Sequence, residues 1–295
     1  PQRVQDKVSD ILARFKHDRA FRGKQHGVTH GLWGMSPAEQ TRLRIRLTVL
    51  WHTLEHLRPS TSAIVELGTY LGSTAMGMRM VMDHLGYRYP EHVLHVYDSF
   101  EGLPRPREGS ARATEAFYHD VGVFKMVLSV GEERVLGHFD LFGVPRTSVK
   151  TYKGYFVDSL PKLRKDLLDR GEKLAILRMD GDMYDSTADI LYNLYELIPV
   201  GGIFICDDCT LIREAQRAIT EFRTRHGITD RVHITGIGML REGDHTYGLT
   251  WWKKTKPVSV DYTWYEKWNA TRSLERGLIP ATKIYGFHES RTLAL

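Results

Sequence analysis

The chain is poor in cysteine, with two in 295 residues, Cys206 and Cys209. They stand in one C-D-D-C string, and no second pair exists to complete a four-ligand zinc site. Cys206 ends an apolar run and reads as core; Cys209 reads as a small loop residue rather than as half of a redox pair. This usage does not point to an oxidising compartment, so the expected location is the cytoplasm. Also missing is any apolar run of about 18 residues, so no transmembrane helix is expected. The first residues, PQRVQDKVSDILARFKHDRAF, are charged throughout and lack the apolar stretch of a signal peptide. The dinucleotide fingerprint G-x-G-x-x-G does not occur, which weakens an NAD-binding reading. Clustered basic charge is missing too. The formal charge is +5 and the pI about 9.1. The basic residues are nonetheless scattered, as in Arg42, Arg44 and Arg46 on one expected helix and Lys162, Arg164, Lys165 and Arg170 on another. They read as solvated faces, so neither nucleic acid nor a membrane is an expected partner.

What is present centres on residues 173–210, KLAILRMDGDMYDSTADILYNLYELIPVGGIFICDDCT. Two apolar runs, 174–177 and 202–206, each end in carboxylates: Asp180 and Asp182 after the first, Asp207 and Asp208 after the second. Between them, Ile190, Leu191, Leu194 and Leu197 follow helical spacing over 186–197. A strand–helix–strand crossover makes the strands parallel and usually adjacent. Asp180, Asp207 and Asp208 then meet at the carboxyl edge of the sheet, where parallel α/β sheets bind ligands. Converging carboxylates repel unless something positive sits among them, and a divalent cation is the natural candidate. Asp182 is expected to support the loop and Asp185 to cap the following helix.

Upstream, residues 62–68 read as a first buried strand that feeds a glycine turn, VELGTYLGS, and a Met-rich helix over 74–85. Such a turn lets a ligand approach the backbone, and the helix N-terminus offers free N–H groups to an anion. Glu66 at the strand end would face a cation or a ligand amine. Met76, Met78, Met80 and Met82 read as core filling. A second strand over 92–100 ends in Asp98, where a carboxylate can accept both ribose hydroxyls of an adenosine ligand. A third strand is expected over 148–156 and helices over 4–17, 36–57, 132–142, 158–169 and 212–226. Gly227 is a good stop for the last of these. A hairpin follows, with strands over 233–241 and 246–254. The tail from 257 is aromatic (Trp264, Tyr265, Trp268, Tyr285, Phe287) and is expected to pack on the domain or on a partner subunit. The pattern describes a doubly wound, seven-stranded α/β sheet whose last strand is antiparallel. The expected organisation is an N-terminal helical or lid segment (1–60), a main domain (61–256) and a C-terminal extension (257–295).

The strings VELGTYLGS, YDSFEGLPRP, KGYFVDSLP, LRMDGDMYDST, PVGGIFICDDC and REAQRAITEFRTRHGI occur in this order over residues 64–228. They resemble the macrocin O-methyltransferase family of class I, metal- and S-adenosylmethionine-dependent enzymes acting on sugars of natural products. The resemblance implies that Glu66, Gly68, Thr69, Gly72 and Ser73 line the cofactor, with Ser73 at its methionine carboxylate. It implies that Asp98 holds the ribose with Ser99 beside it, and that Asp158 and Ser159 lie near the adenine. Asp180, Asp207 and Asp208 would bind Mg2+, with Asp180 also next to the cofactor and serving as the catalytic base. His26, His30, His119 and His288 are alternative bases. The implied reaction is methyl transfer to a sugar hydroxyl, with a glycoside or saccharide as substrate and a homo-oligomer as the expected assembly. A catechol or phenol methyltransferase and a non-catalytic adenosyl-ligand binding protein are the competing readings.

Overall fold

The computed structural model describes residues 2–16, 37–57, 62–104, 128–207, 209–210, 212–238 and 247–270. Eight helices flank the sheet among these residues: α1 (Gln2–Lys16), α2 (Pro37–Leu57), α3 (Ser73–His84), α4 (Glu132–Leu141), α5 (Phe156–Asp169), α6 (Tyr184–Leu194), α7 (Arg213–Arg225) and α8 (Thr263–Ala270). The strands are β1 (Ser62–Leu67), β2 (Leu94–Asp98), β3 (Val149–Lys153), β4 (Lys173–Met179), β5 (Ile203–Cys206), β6 (His233–Gly238) and β7 (Tyr247–Lys253). They form one sheet in the order β3-β2-β1-β4-β5-β7-β6. Strands β1 to β5 run parallel, and β7 is antiparallel to both neighbours. The expected sheet, including the parallel β4–α6–β5 crossover and the antiparallel last strand, is therefore the one observed. Strand order reverses between β1 and β4, so the cleft outside their carboxyl ends is the switch point of the fold.

Each strand alternates between two cores, because side chains of successive residues point to opposite faces. On one face Ile64, Ile176 and Ile205 pack with Val8 and Ile11 of α1, Leu43, Leu47 and Leu54 of α2, Met76 and Met80 of α3, and Phe139 of α4. On the other, Val65, Leu67, Leu177, Met179 and Phe204 pack with Leu163 and Leu167 of α5, Ile190 and Leu194 of α6, and Phe222 of α7. The methionines of α3 are core, as expected. Among the described residues no helix is long and apolar enough to cross a membrane.

The C-terminal aromatics fold back on the chain. Tyr265 stacks on Tyr192 and donates a 2.6 Å hydrogen bond to Asp189 Oδ1, while Trp264 and Trp268 pack beside Tyr192 and Tyr184. Tyr285 and Phe287 lie outside the described residues, as does the expected hairpin turn over 242–245. Two local expectations are corrected. Asp185 does not cap α6: Met183 is the cap residue, and Asp185 is the helix's second residue, buried in its first turn. The helix also ends early, in a 3-10 turn at Tyr195–Leu197, because Pro199 disfavours further α-conformation just before it. Cys206 and Cys209 are not independent thiols but a disulfide, their Cα atoms 5.9 Å apart. Asp207 is thereby enclosed in a short covalent ring.

Candidate active site

Register explains how the site assembles. Leu67 pairs with Met179, and Met179 with Cys206, so the residues that follow leave the sheet at one level. The ladder continues one step further: Asp180 N–H donates to Leu67 O at 2.8 Å, and Asp207 N–H to Met179 O at 3.2 Å. Alternation then places Glu66, Arg178 and Asp207 on the α2–α3 face, in line after Ile64, Ile176 and Ile205. Glu66 and Arg178 are direct cross-strand partners.

Arg178 is the hub. Its Nη1 donates to Glu66 Oε1 at 2.6 Å and to the carbonyl of Gly68 at 2.8 Å. Its Nη2 donates to Asp180 Oδ2 at 2.5 Å and also to Asp207 Oδ2. A second guanidinium arrives from α2: Arg46 Nε donates to Asp207 Oδ1 at 3.0 Å, and its Nη2 pairs with Oδ2 at 2.7 Å. The expected convergence of Asp180 and Asp207 is thus observed, but the positive charge between them is arginine. This corrects two readings. Repulsion between the carboxylates does not by itself call for a divalent ion, and Arg46 is not part of a solvated face. Asp208 lies outside the described residues, as do His26, His30, His119 and His288.

Burial sets the protonation of this cluster. Glu66 is fully enclosed, and burial pushes its carboxyl up to about 7, against the lowering effects of Arg178 and of the hydroxyl of Thr69, which donates to Oε2 at 3.0 Å. Burial also works against the Arg178 charge, but Asp207, Asp180 and Glu66 more than offset it and hold the guanidinium well above its usual range.

The glycine turn packs as closely as its sequence suggests, though against protein. Gly68 has φ +82°, and a Cβ there would stand 2.0 Å from the backbone oxygen of Asp180. Glycine is required so that the β1 turn and the end of β4 can touch. Gly72 is left-handed as well and precedes α3, putting Ser73 in the first turn with its open N–H groups. Asp98 splints this turn to β2: Oδ2 accepts the N–H of Thr69 at 2.7 Å and Oδ1 that of Phe100 at 2.7 Å. Its pKa is raised by burial, which these backbone donors oppose. Ser99 donates to Gly102 O at 2.6 Å and serves its own loop. Ser159 is buried and donates to Tyr155 O at 3.1 Å, while Asp158 is exposed in the first turn of α5. Among the described residues, three non-glycine residues hold a positive φ, namely Tyr70 (49°), Phe100 (54°) and Asp182 (57°). All three sit in loops leaving the carboxyl ends of β1, β2 and β4, and such backbone strain concentrates at functional edges.

Two carboxylates are the hard-oxygen donor type that magnesium takes, but the point they share is held by a guanidinium nitrogen. Asp180 and Asp207 each place Oδ2 on the same Arg178 nitrogen, so two hard anionic oxygens face one point. Among the described residues no cluster of three or more His, Cys, Asp and Glu side chains is placed to hold a metal. The third expected ligand is Asp208.

Sequence reasoning missed Arg178 and Arg46. A signal for the first existed: a lone charge inside the buried run KLAILRM, two residues before Asp180 and one apolar step after Ile176. A fully buried arginine needs carboxylate partners, and Asp180 and Asp207 follow at the ends of that strand and the next. Arg46 had no such signal, because its target lies 161 residues away in sequence.

Comparison with known proteins gives the family and the fold. The macrocin O-methyltransferase (TylF) family profile matches residues 44–239. Demethyldecarbamoylnovobiocin O-methyltransferase of Streptomyces niveus is 32% identical over 194 residues, covering 65% of this chain and 66% of that protein. A tetracenomycin-type 4'-O-methyltransferase of Streptomyces olivaceus, whose substrate name includes a dimethoxy-rhamnosyl group, is 34% identical over 60% of this chain and 64% of its own. Mycinamicin III 3''-O-methyltransferase of Micromonospora griseorubida is 30% identical over 70% of this chain and 74% of its own. The match therefore spans just under two thirds of the first two relatives. Among solved structures, the O-methyltransferase NovP superposes with a TM-score of 0.62 at 24% identity, covering 86% of this chain and 99% of that one, which shows a shared fold. With the profile matching most of the length and the fold in common, this chain belongs to the macrocin O-methyltransferase family.

Proposed function

We propose that the protein transfers a methyl group from S-adenosylmethionine to a sugar hydroxyl of a natural-product glycoside or saccharide, with Mg2+ held by Asp180, Asp207 and Asp208. The observation that carries this reading is the meeting of Asp180 and Asp207 at the switch point, beside the glycine turn and Asp98, in a chain of this family. A relative supports the acceptor class through the rhamnosyl group in its substrate's name.

When bound, S-adenosylmethionine supplies a methyl group on a sulfonium, and Mg2+ lowers the pKa of a chelated hydroxyl. The chain's own residues do the rest. The open N–H groups at the start of α3, with Ser73, receive the cofactor's carboxylate. Asp98, fixed by the turn it splints, presents to the ribose. An acceptor oxygen held beside Asp180 would meet that methyl carbon in line, and the departing sulfur would keep the electron pair of the broken carbon–sulfur bond. The acceptor's proton passes to a carboxylate oxygen of Asp180, whose side chain is 31% exposed and so reachable by substrate. Arg178 keeps that carboxylate aimed.

Thermal unfolding with S-adenosylmethionine, S-adenosylhomocysteine or NAD, each with Mg2+ and with EDTA, tests the cofactor. A ligand at about 100 times its Kd adds roughly 2.7 kcal/mol, a shift of several degrees. The expected result is a shift with both adenosyl ligands and none with NAD. Turnover on a panel of glycosides against catechols then tests the acceptor, and Asp180→Asn should lower kcat by about 100-fold or more. A shift with NAD alone ends the reading. Full activity in EDTA ends its metal half.

A further inference from the structure

The glycine turn that leads into α3 is held by two side chains from different elements. Asp98 takes its N–H side, through Thr69 at 2.7 Å and Tyr70 at 3.4 Å. A carbonyl of the same turn is held from α4. His138, 6% exposed, meets the backbone oxygen of Leu71 with its Nδ1 at 2.8 Å. A carbonyl only accepts, so the imidazole is the donor and Nδ1 carries the proton. Burial holds the His138 pKa below the usual histidine range, against the raising effect of that carbonyl, so the ring is neutral near pH 7.

The place of this bond gives it its weight. Leu71 stands between two left-handed residues, Tyr70 at φ 49° and Gly72 at φ 85°. The peptide that joins Leu71 to Gly72 is planar and trans, so its C=O and N–H point opposite ways. His138 fixes the C=O end, and the N–H end donates to the carbonyl of Thr69 at 2.7 Å. One peptide plane is thus pinned at both ends immediately before α3. The carbonyl of Gly72 then accepts the N–H of Met76 at 2.9 Å and starts the helix. Helix α4 also closes on Gly72 itself: a Cβ there would stand 3.1 Å from Val135 and 3.3 Å from Phe139.

We propose that His138 is a positioning residue for the cofactor: by fixing the Leu71–Gly72 peptide plane it aims the open N–H groups of α3 at the cofactor's methionine carboxylate. The inference rests on the adenosyl-cofactor reading of this edge. It gives α4 a part in binding the amino-acid end of the cofactor and none at the adenosine.

Two ligands separate this role from a merely structural one. S-adenosylhomocysteine carries the carboxylate, and methylthioadenosine has the same adenosine and thioether without it. Calorimetric titration of the full chain with each gives the two Kd values. Asn places its amide nitrogen where Nδ1 stands, and Gln places its own nearer Nε2, so only Asn keeps the donor to Leu71. His138→Leu and His138→Gln are expected to weaken S-adenosylhomocysteine about tenfold, the order of loss for a buried acceptor left without its donor, and methylthioadenosine by less than about twofold. His138→Asn should bind both within about twofold of the unaltered protein. If the unaltered protein binds S-adenosylhomocysteine and His138→Leu and His138→Gln bind it equally well, or lose both ligands alike, the positioning role is overturned while the cofactor reading stands. If the unaltered protein binds neither ligand, the cofactor reading fails and the proposal with it. Should His138→Leu not fold, His138→Gln decides alone: selective loss of S-adenosylhomocysteine supports the role, and equal binding or equal loss overturns it.

Discussion

Glu66 shows how far one residue's chemistry is set by its neighbours. Its folded pKa of about 7 stands above the 4.5 of an exposed glutamate, so the folded state holds the proton more tightly. Stability from this source is complete below about 4.5 and is lost as pH rises through 7, where the buried carboxyl ionises. Glu66→Gln keeps the shape and removes the titration. The unaltered protein should therefore lose up to about 3 kcal/mol relative to Glu66→Gln between pH 4.5 and 7, and nothing further above that. Urea unfolding of both proteins across this range measures it, and parallel curves would contradict the assignment. The same residue marks the limit of sequence reading. A glutamate ending a strand before a glycine turn looked like a ligand contact, and its burial against Arg178 and Thr69 became visible only once β1 and β4 were paired in register. Gly68 was legible as a position needing glycine, but the atom that demands it is the carbonyl of Asp180, 112 residues on.

At the scale of elements, periodicity was the dependable guide. The crossover from β4 through α6 to β5 followed from apolar spacing and from carboxylates at both strand ends. What spacing could not show was chemistry between side chains brought together by loop geometry. The Cys206–Cys209 disulfide is one case, and the first turn of α6 is another, where Met183 takes the cap position that Asp185 was expected to hold. Helix α8 had only an aromatic composition to announce it, yet it docks through defined polar contacts of Tyr265 with Asp189 and Asn193. Tyr265 donates to Asp189, which is 3% exposed, so the bond satisfies a carboxylate away from water. Tyr265→Phe removes that donor at nearly constant volume and should cost about 1.5–3 kcal/mol. Chemical denaturation measures the loss, and quicker proteolysis within residues 257–270 would place it in this helix. An unchanged midpoint would mean that α8 is held by its rings alone.

For the molecule as a whole, the doubly wound class and the antiparallel last strand were readable from alternating strands and helices, whereas the strand order came only with the structure. The N-terminal helices were readable as helices but not as core. Val8, Ile11, Leu43, Leu47 and Leu54 share one cluster with α3 and the sheet. Removing residues 1–57 should therefore strip one face of the sheet and abolish cooperative unfolding in calorimetry. A sharp transition in the shortened chain would show that the N-terminal helices are an addition to a self-sufficient domain. The far end of the chain has a consequence of a different kind. Trp264 and Trp268 stack with ring centres 5.2 Å apart and planes 14° from parallel, and the Arg225 guanidinium sits over the first. Two indoles held this way absorb as a coupled pair, so near-ultraviolet circular dichroism should carry a tryptophan signal that vanishes when the C-terminal helix unfolds. The protein thus contains its own optical gauge of that helix, readable in solution without any label.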